Sequence, residues 1–214
     1  MGIPARAAAD HTDTDHACWA ARWTAARRLL RGTDRERAVE VGRSVDAVVP
    51  LVPRGARAIG ATLSAAPGAV LMTPSAGAAD MAETLVHELH HSKLATLHEL
   101  VPLHRLHPPD RAAPTYRVGW RTDARPVAGV LQGVYAHLAL ADLWHRAARV
   151  GRASGVPEQW RVRSAQRFEQ VHDQVVEALA ILLESDELTN EGREFARQMR
   201  RHLASLSSGR RALA

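Results

Sequence analysis

The sequence predicts a mainly α-helical domain with one small β-hairpin. Long segments carry apolar residues at the 3.6-residue spacing of a helix, and the only convincing strand pattern lies between residues 56 and 73. The chain has 214 residues, of which 46% are hydrophobic and 24% are charged. A chain of this size and composition can bury a core of its own, which excludes wholesale disorder.

Two helices are predicted in the N-terminal segment. Tryptophan, alanine and leucine side chains recur at helical spacing over residues 17–30, and Gly32 is expected to end that helix. The second helix is predicted to begin at Thr33 or Asp34 and to carry valines on one face as far as Val48. Pro50 is then expected to end it, because proline lacks the N–H that a helix needs.

A β-hairpin and a long helix are predicted next. The apolar runs 56–64 and 68–73 are separated by an Ala-Pro-Gly turn, a pattern typical of a hairpin. Asp80 and Glu83 have the spacing of a capping box, in which each side chain satisfies a free backbone N–H of the first helical turn. This spacing predicts a helix that begins there and continues to about Leu100.

The C-terminal half is predicted to contain a loop followed by three helices. Four prolines interrupt residues 104–126, which are therefore expected to be a loop. Helices are predicted over residues 127–150 and from about Pro157 to Leu183, and Thr189 is expected to cap a last helix. The expected organisation is an N-terminal helical segment (1–54), a main domain (55–205) and a frayed tail (206–214).

Composition excludes several classes of protein. The formal net charge is +5, but the arginines are spread along amphipathic helices and Lys93 is the only lysine, so no nucleic-acid partner is predicted. The single cysteine, Cys18, excludes an internal disulfide framework and a cysteine-rich zinc site. No apolar run approaches the roughly 20 residues of a membrane span, and no signal peptide is recognisable, so a cytoplasmic protein without a membrane partner is expected.

The pattern H-E-x-x-H occurs within LVHELHHSKL and consists of His87, Glu88 and His91. Residues four apart lie on one helical face, so the two imidazoles can bind one metal ion, and the glutamate can reach a water on that ion. Neutral imidazole suits zinc and iron equally well. The alternative is an ordinary amphipathic helix with surface histidines. The lone Lys93 either serves this site or covers the helix.

A third protein ligand is needed for a catalytic metal site, and His137 is the best candidate. It lies among apolar residues of the helix predicted over 127–150, so it is either a ligand or a core histidine bonded to a backbone carbonyl. His98 lies on the face of His91 but about 10 Å farther along the axis, too far to share an ion. The extended zinc-protease patterns are missing, because Leu97 stands where their third histidine belongs.

The loop GWRTDARP before that helix contains Arg121 and Arg125. A guanidinium group can bind a carboxylate through two parallel hydrogen bonds, so one of these arginines could lie over the metal. The alternative is an ordinary surface ion pair of either arginine with Asp123, which contributes little stability. The residues alone do not decide between the two.

These three segments together resemble a known family. LVHELHHSKL, GWRTDARP and VLQGVYAHLALADLW resemble the HExxH-motif peptide-modification family, whose members accompany ribosomally made, post-translationally modified peptides (RiPPs) and often a radical SAM maturase. The resemblance covers approximately residues 55–205. It implies an iron(II)- and 2-oxoglutarate-dependent dioxygenase, an oxidoreductase that hydroxylates a side chain of a precursor peptide at Cβ.

The resemblance also implies roles for residues of this chain. The metal ligands of the family are matched by His87, His91 and His137. Two arginines of the family, of which at least one binds the 2-oxoglutarate carboxylate, are matched by Arg121 and Arg125. Glu88 would orient a ligand or water beside the metal. Two other interpretations remain: a zinc metallopeptidase with Glu88 as general base, and a non-catalytic peptide-docking module.

Overall fold

The structure is a computed structural model that describes residues 7–53, 59–108 and 112–208. Within these residues the chain is mainly helical, which confirms the predicted fold class. The helices are α1 (His16–Thr33), α2 (Arg35–Ser44), α3 (Ala78–Leu100), α4 (Val127–Arg149), α5 (Glu158–Glu184) and α6 (Asn190–Ser208), with a short 3-10 turn at Arg152–Ser154. The strands are β1 (Ala47–Pro50), β2 (Gly60–Thr62), β3 (Ala69–Met72), β4 (Thr115–Tyr116) and β5 (Arg125–Pro126).

Helix α4 lies at the centre of the protein. It packs against α3 on one side and α5 on another, and α6 also contacts it. Most of its side chains are buried, as expected for a helix that is apolar on nearly all sides. By length and composition α4 could cross a membrane, but 67% of its apolar window is buried inside the protein, as in the core helix of a globular fold.

A small mixed sheet covers α3. The strand order is β1-β3-β2, with β1 parallel and β2 antiparallel to β3. Strands β2 and β3 form the predicted hairpin directly before the HExxH helix, although residues 56–58 of its predicted range lie outside the described residues. Strands β4 and β5 add a two-residue ladder inside the predicted loop.

Most of the helical predictions are confirmed. Helix α3 ends at Leu100, α4 occupies almost the whole predicted range, and α5 begins just after Pro157. The Thr189 hydroxyl accepts a hydrogen bond from the backbone N–H of Gly192 at 3.0 Å, as a helix cap does. The limits of these helices are set by local features of the sequence, namely apolar spacing, prolines and a capping residue, and tertiary packing leaves these limits in place.

The predicted end of the second helix is wrong. Helix α2 ends at Ser44, and Val48 lies in β1 opposite Val70 of β3. β-branched residues suit a strand better than a helix, and pairing with β3 gives this segment a hydrogen-bonded partner. The spacing of the valines fits a helix face and a strand equally well, so the pattern alone could not identify the strand.

The predicted capping box is also wrong. Gly77 precedes the first turn of α3 and no side chain caps it. Asp80 and Glu83 instead accept hydrogen bonds from Arg163 of α5, at 2.6 and 3.3 Å, and Glu83 also accepts one from the indole of Trp144 at 3.0 Å. These tertiary partners hold the N-terminal part of α3 against α4 and α5.

Three smaller predictions concern segment ends. Helix α1 continues through Gly32, where an added Cβ would lie only 2.8 Å from Cγ2 of Val156, so this glycine serves close packing. The predicted domain boundary near residue 54 falls between β1 and β2, which belong to the same sheet. The predicted frayed tail overlaps the end of α6, where Leu206 is buried, and residues 209–214 lie outside the described residues.

Candidate metal site

The three candidate histidines are carried by the two long helices of the core. Leu85 and Leu89 of α3, together with Val134 of α4, are among the buried apolar side chains that bring these helices together. Because residues 87 and 91 are four apart, both imidazoles leave α3 on one side. This side faces α4, where His91 contacts Gln132 and His87 contacts His137. The packing of α3 on α4 therefore brings His137 next to the HExxH pair.

The imidazole rings are close to one another. The Nε2 atoms of His87 and His91 lie 3.1 Å apart, and their ring centroids are separated by 4.6 Å. The ring of His137 approaches that of His87 edge to face, with centroids 5.1 Å apart and an interplanar angle of 87°. The arrangement brings together all three histidines that the sequence singled out.

Hydrogen bonds from neighbouring groups orient two of these rings. Nδ1 of His91 donates to the side-chain oxygen of Gln132 at 3.1 Å, and Nδ1 of His137 donates to the backbone oxygen of Gly133 at 2.7 Å. With Nδ1 protonated, the Nε2 lone pair of each ring is left for a metal. His137 therefore makes the backbone bond of a core histidine and can still act as a ligand.

Burial keeps the three imidazoles neutral. Removal from water lowers the pKa of His137 to about 4 and that of His91 below its ordinary value, and it lowers the pKa of His87 well below 6.5. The neighbouring imidazoles add to this effect for His87 and His137. A neutral imidazole with a free lone pair is the form that binds a metal ion.

The spacing fits a metal for the pair on α3. Two nitrogen ligands at ~2.1 Å from one ion lie about 3.0–3.4 Å apart, and the measured Nε2–Nε2 distance is 3.1 Å. Nδ1 of His87 is buried without a hydrogen-bond partner among the described residues, so the pair is not satisfied by hydrogen bonding alone. Within the described parts of the chain, no group of three His, Cys, Asp or Glu side chains reaches metal-binding spacing. Binding of a third protein ligand therefore requires the imidazole of His137 to move closer to the pair on α3.

Glu88 lies beside the histidines and is 5% exposed. Burial raises the pKa of its carboxyl group to about 7. Gly60 of β2 makes room for this carboxylate, since an added Cβ would lie 2.5 Å from Oε1 of Glu88. The close approach joins the sheet to the candidate site.

An open cavity of about 720 Å³ connects these groups to solvent. Its wall includes His87, Glu88, His91, Gln132 and Arg121, together with β2 and the turn after it. The cavity lies between the α3 helix and the outer edge of the small sheet. It is large enough for a small organic acid together with a segment of peptide.

The two loop arginines are placed differently. Arg121 lines the cavity, whereas Arg125 is not part of its wall. Both guanidinium groups pair with Asp123 through Nε, at 2.9 Å each, and the hydrogen bond from Arg121 is the main cause of the lowered pKa of Asp123. The ion pair that the sequence left as an alternative is therefore present, and Arg121 also faces the site.

Comparison with known proteins does not assign a family. No model of a known protein family matches the chain, and no curated protein matches it significantly. The resemblance to the HExxH-motif peptide-modification family remains a prediction.

Sequence reasoning missed three contributors to the site. The indole of Trp120 stacks on the imidazole of His137, with centroids 4.4 Å apart and planes 19° from parallel. Gly133 permits this contact, because an added Cβ would lie 2.9 Å from Nε1 of Trp120. Gln132 orients His91. For Gln132 and Gly133, the only signal in the sequence is that a polar residue and a glycine lie close to His137 on an otherwise apolar helix.

His90 and Lys93 of the motif helix face α2 rather than the candidate site. His90 donates through Nδ1 to the backbone oxygen of Val86 at 2.7 Å and accepts a hydrogen bond from Arg37 of α2 at 2.8 Å. Lys93 pairs with Glu40 of α2. These contacts tie α2 to α3, which places Lys93 in an inter-helix ion pair.

His98 also lies outside the site. It stacks on His104, with ring centroids 4.2 Å apart, and its Nδ1 accepts a hydrogen bond from the backbone N–H of Leu103 at 3.1 Å. This position agrees with the expectation that His98 is too far along the helix to share an ion with His91.

Proposed function

We propose that this protein is a metal-dependent oxygenase that hydroxylates a side chain, at Cβ, of a ribosomally synthesised precursor peptide with iron(II) and 2-oxoglutarate. The observation that carries the proposal is a cluster of three neutral imidazoles, two of which, His87 and His91, line a cavity that also contains Arg121. We expect a cytoplasmic setting and a radical SAM maturase acting on the same peptide.

The three imidazoles are donors of the kind that iron(II) accepts, and His137 would have to move closer to the pair on α3 to complete the set. His87, His91 and His137 would hold the ion, and three protein ligands leave positions on iron for a keto acid and dioxygen. Bound iron(II) would supply oxygen activation, with 2-oxoglutarate providing two electrons and leaving as succinate and carbon dioxide. Imidazole ligands alone do not distinguish iron from zinc, so the resemblance carries the choice of iron.

The protein's own groups have separate roles in this proposal. Gln132 and the Gly133 carbonyl fix the orientation of His91 and His137, and Trp120 restricts the ring of His137 from the other side. Arg121 would bind the distal carboxylate of the keto acid, exchanging part of its contact with Asp123. With Arg125 on the same carboxylate, Asp123 holds the loop in place.

The test measures metal binding and succinate release. Anaerobic titration of the chain with Fe(II) should give one ion per protein, and the loaded protein should form succinate from 2-oxoglutarate and oxygen even without a peptide. H87A should abolish both, whereas H98A, which changes a histidine of the same helix outside the cluster, should leave both intact. Stoichiometric iron without succinate would refute the proposal. Failure of the protein to bind either Fe(II) or Zn(II), titrated separately, would favour a docking module.

A zinc metallopeptidase is the second candidate, because of Glu88. A carboxyl group with its pKa raised to about 7 is well matched to a general base at neutral pH, and Glu88 lines the same cavity as the two α3 histidines. E88Q separates the two functions. A zinc peptidase should lose nearly all cleavage of casein, and the oxygenase should keep a measurable part of its succinate formation.

A further inference from the structure

Strand β2 has an unpaired edge that faces the candidate site. In the order β1-β3-β2 it is the outermost strand, and no further strand pairs with it among the described residues. All three of its residues line the cavity that contains His87 and Glu88. An exposed strand edge presents a row of backbone N–H and C=O groups to any extended chain that reaches it.

The pairing register shows which backbone groups point outward. The backbone N–H of Thr73 donates to the oxygen of Ile59 at 2.9 Å, and the register pairs Ala61 with Leu71. In an antiparallel pair the inward bonds occur at every second residue, so Ile59 and Ala61 bond to β3. The N–H and C=O groups of Gly60 and Thr62 therefore point away from β3, at the outer edge of a strand whose residues line the cavity.

The opposite wall of the cavity is long and straight. Residues of α3 line it at helical spacing from His87 to Glu99, twelve residues later. At ~1.5 Å per residue this wall is about 18 Å long, which corresponds to about five residues of an extended chain at ~3.3 Å each. Leu63, the residue directly after β2, is 51% exposed and lines the same cavity. A small substrate would need only part of this length.

The edge begins next to the reactive groups. Gly60 lies so close to Glu88 that an added Cβ would be 2.5 Å from Oε1, and β2 packs on α3 near this point. A chain paired with β2 would therefore pass directly beside the carboxylate and the neighbouring imidazoles. Alternate side chains of such a chain would point into the cavity and out of it.

We infer that the substrate binds as an extended peptide of about five residues, as an additional strand on the outer edge of β2, with its backbone held by Gly60 and Thr62. This inference rests on the proposed function in that the bound peptide is the substrate to be modified. Pairing with backbone groups would hold many sequences in one register, and the cavity would select the side chain presented to the site.

The probe is a random dodecapeptide library displayed on phage, selected on the full-length wild-type protein. Enriched peptides are synthesised with one backbone N-methyl group at each position in turn, because N-methylation removes the N–H that a strand donates. We expect binding to weaken about two- to tenfold at every second position of the bound segment, and to persist at the positions between. Uniform tolerance, a loss without a period of two, or no enrichment at all would overturn the inference.

A variant of β2 gives a second readout. T62P removes the outward N–H while the inward bonds of Ala61 remain, a position where an edge strand tolerates proline. T62A keeps the N–H and serves as the control. We expect T62P to lose peptide binding and T62A to retain it, and equal binding by both folded variants would contradict the inference. Succinate formation by the wild type is measured separately, without peptide. A failure of the proposed function and a failure of the strand pairing can therefore be told apart, because each can occur without the other.

Discussion

The buried carboxyl group of Glu88 should make the stability of the metal-free protein fall as pH rises. An acid with a raised pKa in the folded chain binds its proton more tightly there than in the unfolded chain. Between the two pKa values the folded state therefore holds more protons, and unfolding becomes easier as pH increases. The pKa of Glu88 rises from an ordinary value of 4.5 to about 7 through burial.

The size of the effect follows from that difference. At ~1.4 kcal/mol per pKa unit, the ionised carboxylate costs about 3 kcal/mol of folding free energy at pH 8 and less than about 1 kcal/mol at pH 5. E88Q keeps a similar shape without the charge. We therefore expect E88Q to gain about 2 to 3 kcal/mol relative to wild type between pH 5 and pH 8.

The assay is urea unfolding of both proteins in a chelator, at several pH values from 5 to 8. The buried histidines have lowered pKa values and change stability in the opposite direction, but they are common to both proteins and cancel in the comparison. A stability difference that stays constant across this pH range would refute the reasoning about Glu88. Saturating Fe(II) or Zn(II) should shrink the difference, because a nearby cation favours the carboxylate.

Three further substitutions test contacts around the site. G60A should destabilise the protein by about 1 to 3 kcal/mol in thermal unfolding, since its Cβ would collide with the Glu88 carboxylate. W120A should weaken metal binding about 10- to 100-fold in competition with a chelating dye, because the ring stacked on the third imidazole is lost. R37A should cost about 1 to 3 kcal/mol in urea unfolding, because the buried His90 loses the hydrogen bond to its Nε2 and Asp142 loses one of its two arginine partners. K93A, which removes a more exposed pair, should cost less than about 1 kcal/mol.

A control for G60A and the contradicting outcomes for the other variants complete these tests. G151A adds a Cβ that meets nothing within 4 Å and should change the melting temperature little. A loss in G151A equal to that in G60A would show that the collision is not the cause. If W120A binds metal as tightly as wild type, the stacked indole does not orient His137. If R37A and K93A cost the same, burial does not govern the inter-helix ion pairs.

Local signals were sufficient for the long helices. Helices α3, α4 and α5 end within a residue or two of their predicted limits, because each combines an apolar stripe with proline or a change of composition at its ends. The segment containing Val48 failed for a physical reason. Its valines fit a helix face and a strand equally well, and only pairing with β3, some 22 residues later, selected the strand.

The spacing of His87 and His91 was determined by the sequence, since any helix through these residues presents both imidazoles on one face. The helical fold class and the hairpin before the motif were determined in the same way. These features depend on neighbours within a few residues, and local geometry does not change when the rest of the chain folds around them.

The tertiary structure alone decided the rest of the site. Packing of α4 on α3 brought His137 to the HExxH pair, and the loop before α4 put Arg121 at the cavity and Trp120 on the histidine. The same packing buried Glu88 and raised the pKa of its carboxyl group. These contacts join residues far apart in the sequence, 17 positions for Trp120 and His137 and 50 positions for His87 and His137. Their distances depend on how the helices pack, which no short-range pattern encodes.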